Sequence, residues 1–425
     1  MRKKVCMFVW NHFTNDARVL RECTALSDKY YDVDLICIHD PNNPDLDLIQ
    51  KYNDHFTVYR VKRSPLLFYI QFIYKLFKNK WSILFFLLIW ICLLRMFPLL
   101  TIGISLFAVI VLKTKLKTIL VRGSIIMRMI LKGYSKKYDI YHSNDLNTLP
   151  QGYICSKFRL RKRKLIYDSH EVQTSRTGYD SLFYSKMEAY LIRKIDTMIV
   201  ENHTRAAYNE ELYGFYPEVL HNYPFLLEET REKIDIHHML GLPKSEKILL
   251  YQGGIQIGRG LDKLIKAMPF INEGTLLFIG DGRIKKDLEN MVNDMELHQR
   301  VKFLPKVPLS ELPKYTRNAY LGFQVLNNVC FNHYSASSNK LFEYIMAGVP
   351  VIGCDFPEIK KVIQGEKVGL VVDSHDHLSI AKGVNTLLEN TELRNQFHKN
   401  CGIAKRKYNW ETEKSQLLSL YNLIS

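Results

Sequence analysis

Trp81 to Leu112 is a run of thirty-two residues whose only charge is Arg95, and the segments on either side of it read as strands of one sheet. A membrane-spanning helix needs about 20 apolar residues, so the run is long for one crossing and short for two. A single crossing would also separate strands that must pair on one side of any bilayer. Lys75, Lys78 and Lys80 on one flank and Lys113, Lys115 and Lys117 on the other assign both ends to the cytoplasmic face by the positive-inside tendency. The run is therefore expected to form a re-entrant or shallow helical hairpin, bent near Pro98 and Gly103, with Arg95 reaching to water or phosphate. Leu66 to Leu76, amphipathic and basic, is expected to lead into it as an interfacial helix, the insert as a whole covering residues 64–132. A buried pair of soluble helices is the plain alternative.

Charge singles out the same region. The chain carries a formal charge of +16, and from Arg60 to Tyr138 there are fifteen Lys or Arg and no Asp or Glu. Basic charge beside apolar sequence favours a membrane surface, whereas nucleic acid would call for base-stacking or base-reading elements next to the charge. With 47% apolar and 24% charged residues, chain-wide disorder, a collagen-like repeat and a polytopic membrane protein are excluded. The eight cysteines are scattered without a CxxC pair, as expected of apolar fillers in a reducing compartment. The apolar run Val5 to Trp10 is too short for a signal-peptide core and reads as a first strand of a cytosolic protein.

Outside the insert, strand and helix alternate. Val5 to Trp10, Asp34 to Ile38, Ile140 to His142, Lys164 to Tyr167 and Thr197 to Val200 read as strands, with helical periodicity at Asp16 to Ser27, Leu149 to Phe158 and Leu182 to Lys194. A polar stretch with Pro224 and Pro243, about Asn222 to Lys247, reads as a linker. A second series follows, with strands at Ile248 to Tyr251, Leu276 to Ile279, Val301 to Phe303, Leu321 to Val325, Val351 to Ile352 and Leu370 to Val372. The α/β alternation predicts two doubly wound, Rossmann-like domains, 1–225 and 240–402, with a helix at 403–425 packing back on the first. Ligand sites are expected at the carboxyl ends of the strands, in a cleft between the domains.

Several residues carry chemistry. Gly253-Gly254-Ile255-Gln256-Ile257-Gly258-Arg259-Gly260 lies between a strand and a helix, where backbone N–H groups can approach a phosphate and Arg259 adds a fixed charge. A structural glycine turn is the competing reading. The spacing matches neither GxGxxG nor a Walker loop, which weighs against dinucleotide oxidoreductases and P-loop NTPases. Gly280-Asp281-Gly282 is a second strand-end turn, phosphate-facing or merely tight. In Ser337-Ser338-Asn339-Lys340-Leu341-Phe342-Glu343, Ser337 or Ser338 is a candidate N-cap with free N–H groups beyond it. Glu343, one turn further in, can accept two ribose hydroxyls or form a surface salt bridge.

Order and spacing resemble the GT-B glycosyltransferases, specifically glycosyltransferase family 4. The resemblance rests on the glycine turn with its basic residue, on Gly280-Asp281-Gly282, on the helix from Ser337 through Ala347-Gly348-Val349-Pro350-Val351, and on Asp355-Phe356-Pro357-Glu358 with Gly369 to Asp373. In the N-terminal half it rests on Asn15 to Glu22, Tyr138 to Asp145 and Tyr167 to Glu171. It covers the chain except the hydrophobic insert. The resemblance implies that Glu343 binds ribose, that Arg259 and Lys340 neutralise the donor diphosphate, and that Gly253, Gly254, Gly280, Asp281, Gly282, Ser337, Ser338, Asn339 and Leu341 line the donor site. Three positions depart from the pattern. Ser335 stands where the family often has a glutamate, Gly253-Gly254 replaces a Gly-Arg pair, and Asn144 replaces the second His of an H-x-H pattern.

In the N-terminal half Asn15, Asp16, His142, Asp145 and His170 are the candidate acceptor-binding residues, and His170 and Glu171, with Arg259 and Lys340, the candidate catalytic ones. For each the competing reading is a helix cap or loop hydrogen bond. Breaking a sugar–diphosphate bond builds negative charge on the leaving phosphate, which fixed cations and a helix N-terminus stabilise without a metal. Asp32-x-Asp34 and Asp45-x-Asp47 mimic a metal-binding pair but lie beside no phosphate loop, so no metal and no cofactor beyond the nucleoside-diphosphate sugar is expected.

The expectation is thus a glycosyltransferase at the cytoplasmic face of the membrane, peripheral or monotopic. It would move a sugar with retention to a polyprenyl-linked acceptor in surface polysaccharide or glycan assembly, and would bind no nucleic acid. A soluble acceptor, a nucleotide-sugar epimerase and a catalytically silent membrane scaffold are the alternatives, told apart by the product.

Overall fold

Buried apolar runs and strand-end turns give two sheets, parallel but for one edge strand, in the computed structural model, which describes residues 2–43, 45–63, 72, 75, 80–114, 116–175, 181–227 and 234–424. Most of the Leu66 to Leu76 segment lies outside the described residues. The chain divides into two units, Met1–Asp168 with Tyr190–Met198 and Ile424–Ser425, and Ser169–Ala189 with Ile199–Leu423.

The N-terminal sheet comprises β1 (Lys3–Phe8), β2 (Tyr31–Ile38), β3 (Ile49–Asn53), β4 (Phe56–Val61), β5 (Ile140–Asn144), β6 (Lys164–Ser169), β7 (Thr197–Val200) and β8 (Glu218–Val219). Their order is β3-β4-β2-β1-β5-β6-β7-β8. The unit boundary runs through β7. β1 pairs in parallel with both β2 and β5, so the order reverses between β1 and β5, and the carboxyl ends of these two strands flank a topological switch point. β4 and β8 were not anticipated, and neither was β3. It pairs antiparallel with β4 at the sheet edge and is largely exposed, so its burial pattern carries little of the alternation by which strands are recognised.

Within the insert, the chain forms helices Lys80–Met96 and Pro98–Lys113. Pro98 sits at the first position of the second helix, where its missing N–H costs nothing, and its ring ends the helix before it. The break falls at Phe97–Pro98, while Gly103 lies inside the second helix with open space around it, so only the first of the two expected bend residues is at the bend. The pair is internally tied: Trp90 Nε1 donates to Ser105 Oγ at 2.8 Å, Ser105 Oγ donates to Thr101 O at 2.7 Å, and Thr101 Oγ1 donates to Phe97 O at 2.9 Å. Its outward residues are exposed and apolar, among them Trp81 at 79%, Leu99 at 88% and Leu106 at 63%, so the buried soluble pair is not formed. Among the described residues no helix is long and apolar enough to cross a membrane. The next helix, Leu116–Tyr134, buries Ile125, Met129 and Ile130, and Lys132 Nζ lies 3.8 Å from the centre of the Tyr59 ring on β4.

The second unit holds β9 (Ile248–Gln252), β10 (Thr275–Ile279), β11 (Val301–Leu304), β12 (Leu321–Gln324), β13 (Val351–Cys354) and β14 (Gly369–Val372), in the order β11-β10-β9-β12-β13-β14. All pairings are parallel. Successive residues of each central strand go to opposite cores: Leu249, Tyr251, Leu276 and Phe278 to one, Ile248, Leu250, Leu277 and Ile279 to the other. That is why these strands read as unbroken apolar runs. Here the order reverses between β9 and β12, which makes their carboxyl ends the second switch point.

Candidate active site

β9 and β12, the strands that flank the second switch point, both end in a buried glutamine, Gln252 and Gln324. Gln252 organises the site. Its Nε2 donates to Glu343 Oε2 at 2.7 Å, its Oε1 accepts from Thr316 Oγ1 at 2.7 Å, and its backbone N–H donates to Tyr344 Oη at 3.2 Å. Tyr344 Oη in turn donates to Leu250 O at 3.1 Å. The helix Asn339–Met346 is thereby pinned to β9, with Glu343 half-buried and held at one carboxylate oxygen. Among the described residues Glu343 forms no ion pair.

The two glycine turns come together. Gly253 N donates to Ile279 O and Ile255 N to Asp281 O, both at 2.9 Å. Asp281 Oδ1 accepts from Gly282 N at 2.8 Å, so this aspartate spends one oxygen on shaping its own turn. Gly260 has φ 68°, and a Cβ there would stand 2.2 Å from Val325 O, a position only glycine fills without displacing β12's extension. Gly254 is exposed on the same loop.

Arg259 is half-buried in this loop, and its guanidinium has no hydrogen-bond or ion-pair partner among the described residues. Lys340 lies against the loop from the helix side: a Cβ on Gly253 would meet Lys340 Cδ at 3.3 Å, and Lys340 Nζ is 5.7 Å from the centre of the Tyr251 ring. Burial, and then the neighbouring Arg259, push the Lys340 ammonium down to about 7, with Glu343 pulling the other way. Two cations held close without an anion between them is an arrangement an anionic ligand relieves.

Ser338 stands at the N-cap position but makes no capping bond; its Oγ donates to Gln324 Oε1 at 3.0 Å. The N–H groups of Asn339 and Lys340 therefore begin the helix without a side-chain cap. Ser337 is buried, and Leu341 is a core residue. Ser335 is wholly buried: its Oγ donates to Phe331 O at 2.8 Å and accepts from Arg205 Nε at 3.2 Å, and its carbonyl accepts from Asn202 Nδ2 at 2.8 Å. Arg205, missed in the sequence, also pairs with Glu201 and donates to His170 O and Asn332 O. His170 and Glu171 are half-buried in this second unit, and the Glu171 carbonyl accepts from Ser169 Oγ at 2.9 Å.

In the first unit the expected acceptor residues divide. His142 does not present itself to a ligand. It is wholly buried in mid-strand, with Nε2 3.8 Å from Asp168 and 4.0 Å from Glu22. Arg18 joins both carboxylates, with Nη2 2.9 Å from each Asp168 oxygen and Nε 3.0 Å from Glu22. Glu22, His142 and Asp168 bring ligand atoms within 4.8 Å of one another, but the Arg18 guanidinium already supplies their positive charge. Asp16 caps helix Ala17–Ser27 through Val19 N at 3.1 Å and accepts from Asn11 Nδ2 at 2.7 Å. Asn15 is exposed in the turn after β1, and Asp145 is half-buried with φ 62° after β5; both thus lie at the β1/β5 switch point. Asn144, wholly buried, donates from Nδ2 to Phe8 O at 2.9 Å. Of the acidic pairs, Asp32 holds His55 and Arg2, and Asp34 holds Lys136 and Tyr138.

Residues 232–401 match the family model described as glycosyl transferases group 1. An uncharacterized glycosyltransferase of Methanocaldococcus jannaschii is 27% identical over 196 residues, 45% of this chain and 49% of that protein. A D-inositol 3-phosphate glycosyltransferase of Xylanimonas cellulosilytica is 23% identical over 203 residues, 47% of each. The chain thus spans about half the length of the curated relatives it matches. Among solved structures, sucrose-phosphate synthase from Thermosynechococcus elongatus superposes with a TM-score of 0.74 at 17% identity, over 100% of this chain and 99% of that one. Anabaena HepE in complex with UDP-glucose does so with a TM-score of 0.69 at 15% identity, over 99% of each chain. The chain thus shares the two-domain GT-B fold of these structures along its length, and its residues 232–401 match the group 1 glycosyl transferases.

Proposed function

We propose that the chain transfers a sugar from a nucleoside-diphosphate sugar to a lipid-linked glycan acceptor, with retention, in surface polysaccharide or glycan assembly. The observation that carries the donor half is Glu343 held through Gln252 at the β9/β12 switch point, one turn along the helix from Lys340 and beside the loop that bears Arg259. One Glu343 oxygen is engaged by Gln252; the other has no hydrogen-bond partner among the described residues and suits a ribose hydroxyl. As the bond between the anomeric carbon and the phosphate oxygen breaks, its electron pair goes to the diphosphate. Arg259, Lys340 and the uncapped N–H groups of the Asn339–Met346 helix are the groups that stabilise that charge. HepE, a relative in fold, was crystallised with UDP-glucose, which supports a nucleotide-sugar donor, and a relative in sequence is named a phosphatidyl-myo-inositol mannosyltransferase of Mycobacterium leprae, which supports sugar transfer to a lipid acceptor.

The acceptor half rests on the exposed apolar hairpin. Its neighbourhood carries basic residues and no acidic ones from Arg60 to Tyr138, which complements an anionic lipid surface and would repel a second copy of itself. The protein would therefore work at the cytoplasmic face of the membrane as a peripheral or monotopic enzyme. The test is transfer of labelled sugar from UDP-, GDP- and ADP-sugars to polyprenyl-phosphate and polyprenyl-diphosphate acceptors in liposomes. Labelled lipid together with released nucleotide supports the reading. An interconverted free sugar nucleotide would mean an epimerase, and nucleotide binding without turnover a silent scaffold.

A further inference from the structure

Arg259 and Lys340 are not alone at the glycine loop. His333, in the short helix Phe331–Tyr334, lies against it from the side that follows β12. A Cβ on Gly258, whose φ is 79°, would stand 2.7 Å from His333 Cε1. Nδ1 would stand 3.0 Å from the same Cβ, so the ring turns its Cε1–Nδ1 edge to the loop. Nδ1 is 3.2 Å from Asn327 O; a carbonyl only accepts, so Nδ1 carries the proton and Nε2 is the open nitrogen. Gly258, the other backbone group that acts on the ring, lies on the Cε1–Nδ1 edge, and Nε2 makes no hydrogen bond among the described residues. Ser335, two residues on, is buried and bound to Arg205, and Val329, whose Cγ2 would stand 2.7 Å from the same Gly258 Cβ, is apolar, so His333 is the polar side chain brought to Gly258.

We propose that His333 is a further donor-binding residue, which joins Arg259 and Lys340 in holding the diphosphate of the nucleotide sugar and takes up a proton as it does so. The inference rests on the donor-site reading above. In the free protein burial, and then Arg259, hold the His333 imidazole below its ordinary value, with Lys340 adding to the effect and the backbone bonds to Asn327 and Gly258 opposing it. The charged groups that act on the ring are thus both cations, one from the loop and one from the helix Asn339–Met346. A diphosphate between them reverses the sign of the local field. The neutral ring, an acceptor at Nε2, then becomes a donor to a phosphate oxygen, the proton coming from solvent. The pair of fixed cations expected of such a site is reduced by the glycines at 253 and 254, and a histidine is a natural third.

The experiment follows the histidine Cε1–H resonances of the labelled full chain against pH, with the His333 signal identified by its loss in His333→Gln. Inorganic pyrophosphate, UDP, GDP and ADP are the probes. The free-protein midpoint should lie below 6.5 and should rise by at least about one unit on saturation with a bound probe, which is a tenfold or greater preference for the protonated ring. In Arg259→Gln the same resonance should titrate higher without any ligand, which serves if the His333 variant does not fold. A probe that binds and leaves the midpoint unmoved overturns the role of His333 alone. Failure of every probe to bind overturns the donor site and this inference with it.

Discussion

Gln252 Nε2 and Glu343 Oε2 meet at 2.7 Å across ninety-one positions of sequence. The bond joins the last residue of β9 to the helix that starts beside β12, and it fixes the carboxylate at the point where the strand order reverses. Gln252→Leu should therefore act twice. It leaves the Glu343 carboxylate without its hydrogen-bond donor and Thr316 with Leu312 O alone, an expected cost of about 1–3 kcal/mol in urea unfolding, and it weakens nucleoside-diphosphate binding as well. A variant with wild-type stability and affinity would show that the bond organises nothing.

Lys340 gives a pH dependence of known sign. Its free-protein value is pushed down to about 7, and an anion beside it favours the protonated form. Below about pH 7 the lysine is already charged and affinity for a nucleoside diphosphate gains nothing further from it. As pH rises above 7, binding must bring a proton with it, and affinity should fall by up to about tenfold per unit until the bound-state value is reached. Titration calorimetry from pH 6 to 9 reads this. In Lys340→Met the decline above pH 7 should vanish, and a decline that persists would assign it elsewhere.

The network of Arg18, Glu22, His142 and Asp168 is placed as architecture. Asp168 is wholly buried and accepts Arg18 through both oxygens. Asp168→Asn removes the charge and leaves the shape, and the expected loss is about 3–5 kcal/mol, the range for a buried pair broken on one side. Thermal and urea unfolding check it. A change below about 0.5 kcal/mol would contradict the structural role.

Replacing Trp81–Leu112 by a short Gly-Ser linker should abolish sedimentation with anionic vesicles and transfer to a lipid acceptor, while nucleotide-dependent stabilisation remains. Lys80 and Lys113 begin and end a helical pair that folds back on itself, so a short linker rejoins them. Unchanged transfer to lipid would remove the hairpin from the acceptor side. The electrostatic share of vesicle binding should fall on raising salt from 0.1 to 1 M, as the screening length drops from about 10 to 3 Å.

How far the sequence disclosed this molecule varies from place to place. β9, β10, β12 and β13 are buried on both faces, so their apolar runs mark them without ambiguity, and Pro98 dictates the break in the hairpin by its chemistry alone. β3 escaped because an exposed edge strand has no inward face to show in its pattern. The glycine turns, Arg259, Lys340 and Glu343 were legible as a spaced set, yet the bond that holds Glu343 comes from Gln252, a partner that no local pattern announces. A polar residue closing an otherwise apolar strand was the available signal, at Gln252 and at Gln324 alike. His142 illustrates the opposite error. A histidine near a strand end reads as a ligand until Arg18 and Asp168, 150 residues apart, are seen to enclose it.

The central claim is that the β9/β12 switch point holds a nucleoside diphosphate through Glu343. Its most direct test is the thermal stability of wild type and Glu343→Ala against UDP, GDP, ADP and their sugars. A ligand at 100 times its dissociation constant adds about 2.7 kcal/mol to the folded state. The account predicts stabilisation of the wild type by one nucleotide class, lost or strongly reduced in Glu343→Ala. Stabilisation by none of them, or equal stabilisation of both proteins, would contradict it.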